Sequence, residues 1–542
     1  MIGKDAKAAA SPRALLMKER LLTRPYEVDI ERPRYLTEAW REHAKDGPCT
    51  RTARAFEAVC QRMTIRIDED ELLVGVKTGK EVSVLLDLER GSFIDFSSIC
   101  RTTDSSKPKE YRISEPDYRE LQYRILPYWK GRSVHDVKLA RWIAQGAYRE
   151  NPSPKPRELR AIVQGFGGVR NTLRVINKAI EGNWKSLTQL RKLTMAADLL
   201  PDLHLLVLDM QGHTVPGYNR VMEIGFDGIA GLARLTAEGL DGSDPDQARR
   251  ADFLASVQVV CDAVRDYSNR YADLAEKKAS TAQGARREEL LDIAQRCRRV
   301  PMEPPTGFME AMQSLWMTQV VLSLSYGVPE VLSPGRVDQY LYPFYEADLE
   351  AGRITREQAL EAIEEYFVKI ANVLLPPILF ANSKGQGLAG SNNLTLGGVD
   401  REGNDATNEI SYLFLDALEH IKALSNNLSV RISEKTPPEF LLRTAEIHRA
   451  GAGVAFYNDK VIVNELMKDG YSLEDARDYS IVGCVEPTST GNCFSYTAGN
   501  VVLLLSVLEQ ALNEGCTMMS GWRRVGAPTP PASSFESFED LQ

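Results

Sequence analysis

The chain has 542 residues, enough for three or four domains or for one very large barrel. Apolar residues make up 43% and charged residues 26%, a globular balance that excludes disordered, collagen-like and membrane-embedded chains. The formal charge of −9, from 66 Lys and Arg against 75 Asp and Glu, leaves no broad cationic face for nucleic acid. No apolar run reaches the roughly 18–20 residues of a membrane span, and Met1-Ile2-Gly3-Lys4-Asp5 lacks a secretory core. The expectation is a cytoplasmic protein with neither nucleic acid nor membrane as a partner.

Helical periodicity runs from Arg34 to Gln61 and again from Tyr118 to Tyr148, with the short apolar segment Glu71-Leu72-Leu73-Val74-Gly75 between them. Thr355-Arg356-Glu357-Gln358 is a capping box, followed by one apolar stripe of Leu360, Ile363, Phe367 and Ile370. Gly385-Gln386-Gly387-Leu388-Ala389-Gly390 matches GxGxxG, but it leads into Ser391-Asn392-Asn393 and a strand instead of opening a helix. It therefore reads as a flexible turn and not as a dinucleotide site.

From Leu394 strands and helices alternate. Leu394–Val399 is a strand, Asn404–Leu424 a helix burying Ile410, Phe414, Ala417 and Ile421, and Asn427–Ile432 a strand. The next helix takes Thr436 as N-cap, Pro437 at its first position and Gly451 as its stop. Val454–Tyr457 and Ser480–Gly483 complete the alternation, which predicts an α/β architecture. The many helices before it favour a barrel over a small doubly wound sheet.

Eight cysteines, at 49, 60, 100, 261, 297, 484, 493 and 516, contain no CxxC pair, and the six histidines include no pair at ligand spacing. Neither a disulfide framework nor a bound metal is expected. The informative segment is Ser480-Ile481-Val482-Gly483-Cys484-Val485-Glu486-Pro487. In an extended chain residues two apart face the same way, so the Cys484 thiol and Glu486 carboxylate would project into one cavity, and Pro487 would keep a regular ladder from continuing. A thiol can abstract or return hydrogen and a carboxylate beside it can move a proton, a combination suited to an unactivated carbon. Spacing alone leaves a second reading open: a buried, inert cysteine with Glu486 on a solvated loop.

Gly483-Cys484-Val485-Glu486-Pro487 resembles the thiyl-radical loop of the glycyl radical enzymes, the pyruvate formate-lyase-like superfamily. Further stretches resemble that family in the same order: Asp70–Gly75, Tyr128–Arg132, Gly212–Tyr218, Ser333–Tyr340 and Asn393–Gly398. The likeness spans about Arg34 to Gly515 and implies a pyruvate formate-lyase-like domain over 20–542. The fold it implies is a ten-stranded α/β barrel with a helix-rich N-terminal part and two inserted loops meeting at its centre, one carrying a cysteine and the other a glycine.

The activity it implies starts from a glycyl radical, installed by an iron–sulfur, S-adenosylmethionine-dependent activase and passed to the cysteine, whose thiyl takes hydrogen from a small organic substrate. Cys484 would be the thiyl residue and Glu486 the acid/base. A Cys-Cys pair marks formate-lyases at this loop, whereas Val485 follows Cys484 here, so the likeness is to the eliminase and decarboxylase branch. Diol dehydratases of that branch carry an Asp shortly afterwards, and Phe494–Gly499 holds no carboxylate.

His213 is placed like a proton-shuttling pocket histidine, or else serves as a hydrogen-bonding turn residue. Glu330 faces the pocket or stands in water; Gln211 and Asn393 complete the expected substrate contacts. Cys493 is a second thiol or a small core residue, and Asp459 a pocket wall or a helix cap. The family's C-terminal Arg-Val-Ser/Ala-Gly-Tyr loop has no counterpart in the 542 residues, and Ser537–Gln542 reads as the start of a helix without a body. The expectation is a truncated product lacking the glycyl radical domain and inactive alone. The alternatives are a large subunit served by a separate glycyl-bearing chain, or a non-catalytic remnant that binds a metabolite or partner. A homodimer is left open.

Overall fold

In the computed structural model, residues 10–89, 99–100, 111–144, 205–207, 214–327, 332–374, 392–422, 428–483, 485–493, 500–502, 504–517, 523–524 and 527–541 are described. Leu394–Gly397 (β1), Leu428–Ile432 (β2) and Val454–Asn458 (β3) form a parallel ladder in that order, with Leu394 opposite Leu428 and Leu428 opposite Val454. Helix Glu409–Ile421 connects β1 to β2 and helix Pro438–Arg449 connects β2 to β3, the crossover that parallel neighbours require. Two parallel bridges extend the array, Gly335 to Leu394 and Thr214 to Leu332. The predicted α/β alternation is therefore present, and helices dominate among the described residues.

Side-chain alternation gives the array two unlike faces. Leu394, Leu396, Leu428 and Val430 are buried on one. Thr395, Ser429 and Arg431 occupy the other, and all three are also buried. Polar groups sealed from water need partners, and the face carrying them is where the Tyr479–Ser489 segment lies.

Local chemistry shifts several boundaries. The helix expected from Asn404 begins at Glu409, because the Asn408 side chain accepts the Ser411 N–H while Ser411 Oγ accepts that of Asn408. It ends before Lys422, which has φ 45°. β1 stops at Gly397, since Gly397 and Gly398 take φ of 66° and 76°. Thr436 is not the N-cap of the following helix. That place falls to Pro437, while Thr436 Oγ1 accepts the Ser433 N–H at 2.9 Å. The Thr355 capping box forms with both its limbs.

The Arg34–Gln61 periodicity resolves into helices Glu31–Glu42 and Pro48–Arg62. The Glu71–Gly75 run is irregular and held by side chains: Glu365 accepts the N–H groups of Leu72 and Leu73, and Gln313 bonds both backbone groups of Val74. Five two-residue strands make a second parallel sheet, in the order Ile99–Cys100, Tyr111–Arg112, Glu27–Val28, Ser83–Val84 and Val373–Leu374.

All of these elements belong to one compact unit, residues 1–94, 98–130 and 212–495. The second unit takes in residues 131–211 and 496–542. It contains helix Val134–Ala144 and the antiparallel pairs Leu205–Val207 with Asn500–Val502 and Cys516–Thr517 with Arg523–Arg524. Among the described residues no helix is long and apolar enough to cross a membrane. The glycine-rich run Gly385–Gly390 lies outside the described residues.

Candidate active site

Ser480–Gly483 does not continue the parallel ladder. Tyr479–Val482 (β4) pairs antiparallel with Glu486–Ser489 (β5), Val482 opposite Glu486 and Ile481 opposite Pro487, so the segment is a β-hairpin. Gly483 and Val485 lie in its turn, and Gly483 takes φ 59°, in the left-handed region that favours glycine. The expectation of an extended run through residues 483–486 is therefore corrected.

The expectation that Pro487 stops the ladder is corrected as well. In an antiparallel pair alternate residues turn their N–H groups away from the partner strand. Ile481, opposite Pro487, donates its N–H to Thr395 Oγ1 at 3.0 Å instead of across the hairpin. At that position the ladder needs no donor from residue 487, so proline fits.

Residues 479, 481 and 483 share this outward edge, and side chains satisfy it where another strand would otherwise pair. Arg431 Nη1 donates to the Tyr479 carbonyl at 2.9 Å, and Thr395 takes the Ile481 N–H. Ser333 Oγ accepts the Gly483 N–H at 3.2 Å, and Asn393 Nδ2 donates to the Gly483 carbonyl at 3.3 Å. Ser333 Oγ also accepts the backbone N–H of Asn393 at 3.1 Å. All four anchoring side chains are buried. The hairpin runs antiparallel to the array, its base near Arg431 and its turn beside Asn393.

Glu486 is half-buried at the start of β5, and its Oε2 accepts the Val485 N–H at 2.9 Å. Val485 is 62% exposed, so this side of the turn opens to solvent. Asn393 is fully buried, and among the described residues its Oδ1 has no hydrogen-bond partner. Cys484, Gln211, His213 and Glu330 lie outside the described residues. The structure thus brings together Asn393 and the two flanks of position 484, with Glu486 immediately beyond.

Asp459 is not the helix cap. It is 3% exposed and forms a two-pronged ion pair with Arg431, while Asn458 caps the helix that follows. Burial alone would lower the Arg431 pKa, but Asp459, joined by Tyr479 and Asp478, outweighs it and the shift is upward. Beneath the array Arg336, also buried, donates to Asp478 and to the Gly397 carbonyl. Its pKa is pushed down by burial, with Arg431 adding to the effect. Cys493 is half-buried, its sulfur 3.3 Å from the Tyr471 hydroxyl, and that contact is the main cause of the raised Tyr471 pKa.

Ser333, Thr395 and Arg431 were not singled out by the sequence as contributors to this loop. Ser333 and Asn393 stand in two of the recognised stretches, but nothing local marks their side chains as partners of Gly483, 150 and 90 residues away.

The profile of the pyruvate formate lyase-like family matches residues 10–144 and 173–542, and the chain belongs to that family of glycyl radical enzymes. It is 28% identical over 535 residues to the (2S)-3-sulfopropanediol dehydratase of Klebsiella oxytoca, covering 98% of this chain and 59% of that protein. The isethionate sulfite-lyase of Oleidesulfovibrio alaskensis is 30% identical over 526 residues, covering 95% of this chain and 58% of that protein.

Among solved structures, one describing 1,2-propanediol dehydration in Roseburia inulinivorans superimposes with a TM-score of 0.80 at 29% identity, covering 99% of this chain and 61% of its own. A glycyl radical enzyme from Archaeoglobus fulgidus gives 0.79 at 26% identity, covering 98% and 61%. The fold is that of the glycyl radical enzymes, and the chain spans about three fifths of the length of these relatives.

Proposed function

We propose that this chain is the substrate-converting part of a glycyl radical lyase or dehydratase, acting on a small organic molecule in an anaerobic cytoplasm. The observation that carries the reading is the Gly483–Glu486 turn, whose outward edge is anchored by buried side chains of the parallel array. Such anchoring supports a loop that must present one sulfur reproducibly. The names of the relatives, dehydratases and sulfite-lyases among them, support elimination as the reaction class.

In this reading the Cys484 thiyl takes a hydrogen atom from a substrate carbon, so that an S–H bond forms, a C–H bond breaks and the unpaired electron moves to carbon. Glu486 moves the proton that accompanies loss of the leaving group. The Cys484 S–H then returns hydrogen to the product radical, and the thiyl is regenerated. Gln211, His213, Glu330 and the Asn393 Oδ1 supply the polar contacts to substrate. The stored one-electron oxidant would be a glycyl radical, installed by a radical S-adenosylmethionine activase on a glycine that matches no position in these 542 residues. The three-fifths coverage of the relatives favours operation with further polypeptide, either continuous with this chain or as a separate glycyl-bearing subunit.

The test is to combine this chain with an activase and a glycyl-bearing polypeptide under anaerobic conditions, looking for the glycyl doublet by electron paramagnetic resonance and for conversion of diol and sulfonate substrates. A doublet with turnover that Cys484→Ala abolishes is expected. Turnover surviving in Cys484→Ala would overturn the catalytic reading, and a cellular effect indifferent to that substitution would favour the non-catalytic remnant.

A further inference from the structure

We propose that Ser333 and Asn393 are positioning residues that together fix the peptide plane leading into the radical cysteine. The proposal rests on the catalytic reading above for its purpose, but its geometry stands independently of it. Ser333 Oγ holds the Gly483 N–H and Asn393 Nδ2 holds the Gly483 carbonyl. That carbonyl belongs to the peptide unit joining Gly483 to residue 484, which is planar. Fixing its oxygen therefore fixes the direction in which the chain enters residue 484.

The two anchors act as one unit. Ser333 Oγ accepts from the Asn393 backbone as well as from Gly483, which uses both acceptor sites of a hydroxyl oxygen. Asn393 is thus held at its backbone by the atom that holds Gly483, while its side chain closes the third side. Ser333, Asn393 and Gly483 are all buried, so water offers no easy replacement for a lost bond. Gly483 takes φ 59°, and both its N–H and its carbonyl bond to these side chains. Hydrogen transfer requires the reacting atoms to approach within a few ångströms, and a misplacement of about 1 Å is enough to cost on the order of 100-fold in rate. A two-point anchor beside the reacting residue has a role that general stability would not require.

The experiment needs no radical and uses the chain as it is. Hydrogen exchange of peptides spanning Gly483 and the rate of Cys484 alkylation by iodoacetamide are measured by mass spectrometry for wild type, Ser333→Ala, Ser333→Thr, Asn393→Ala and the double alanine variant, with thermal midpoints as a control. Loss of one buried bond of this kind should speed Gly483 exchange about tenfold and raise alkylation severalfold. Ser333→Thr, which keeps the hydroxyl, should restore both. The double variant should exceed either single one, because the bonds to the Gly483 N–H and to its carbonyl are separate and each single variant leaves one of them in place.

Unchanged exchange and alkylation in both folded alanine variants would overturn the proposal. If Ser333→Ala does not fold, Asn393→Ala decides the question on the same two readouts. In the activated assembly Ser333→Ala, which touches no substrate contact, should lower kcat while leaving KM nearly unchanged. Failure of the catalytic reading would show separately, as turnover in Cys484→Ala, and would leave the exchange result standing.

Discussion

Arg431 and Asp459 meet in a two-pronged ion pair, Nε to Oδ1 and Nη2 to Oδ2 both at 2.9 Å, with neither side chain more than 4% exposed. Asp459 Oδ1 also accepts the Tyr479 hydroxyl, and Oδ2 the Val399 N–H. Arg431 donates to the carbonyls of Tyr479 and Arg477 and lies 4.0 Å from the centre of the Tyr479 ring. The pair ties the end of β2 to the helix after β3 and to the base of the hairpin.

Asp459→Ala should therefore be strongly destabilising, because it leaves a buried guanidinium without its counter-charge, at a cost of about 3–5 kcal/mol. A paired replacement, Arg431→Met with Asp459→Leu, should be milder, since neither charge is then stranded. Urea unfolding of both variants checks this, and an Asp459→Ala protein within about 1 kcal/mol of wild type would show that the pair does not hold the hairpin base.

Gly398 gives a second handle on the same pair. It sits at φ 76°, and a Cβ there would come within 2.7 Å of Arg431 and of Asp459 Oδ2. Gly398→Ala combines backbone strain with displacement of both charged groups, so a loss of several kcal/mol, on the order of a buried pair broken, is expected. Circular dichroism melts of the variant beside Gly403→Ala test the point. Gly403 also has a positive φ, but its nearest neighbours are guanidinium atoms of Arg477, the end of a long side chain that can move. Equal losses in the two variants would point to backbone strain alone.

Glu365 predicts a pH dependence. Burial raises its pKa to about 7, with Glu71 adding to the effect and Lys369 opposing it. A carboxyl with a raised folded-state pKa binds its proton more tightly folded than unfolded, so stability falls as pH rises from about 4.5 to about 7 and levels off above that. The shift of 7 − 4.5 = 2.5 corresponds to about 3 kcal/mol. Glu365→Gln keeps an oxygen for the N–H groups of Leu72 and Leu73 but does not titrate. Unfolding free energies at pH 5 and pH 8 should differ by about 3 kcal/mol more in wild type than in the variant; equal differences would place the titration elsewhere.

The sequence carried the parallel strands because each combines an apolar β-rich run with a neighbouring amphipathic helix, and it carried the Thr355 cap because both partners lie within four residues. It carried the Cys484–Glu486 segment only as a motif. Periodicity cannot distinguish a ladder strand from a hairpin strand whose outer edge is met by side chains, since Tyr479–Val482 is buried in either case. Pro487 misled for a related reason: a missing N–H matters only where the ladder would use it, and that depends on register. Asp459 has the spacing of a cap and is instead the partner of an arginine 28 residues earlier. Ser333, Asn393 and Thr395 gain their roles from contacts across 60 to 150 positions, for which a single sequence offers no local signal.

Glu486→Gln separates the chemistry of the turn from its shape. The Glu486 carboxylate accepts the Val485 N–H at 2.9 Å, and the glutamine amide oxygen can take over that bond, so the hairpin and its exchange pattern should be preserved. The amide cannot accept and return a proton as a carboxylate does. In the activated assembly kcat should therefore fall by about 10²–10⁴, with the glycyl doublet and Cys484 alkylation unchanged. Hydrogen exchange between the substrate carbon and Cys484, followed with deuterated substrate, should continue because that step needs only the thiyl. Wild-type turnover in Glu486→Gln would remove this residue from the chemistry, and loss of the isotope exchange together with turnover would assign it to shaping the loop.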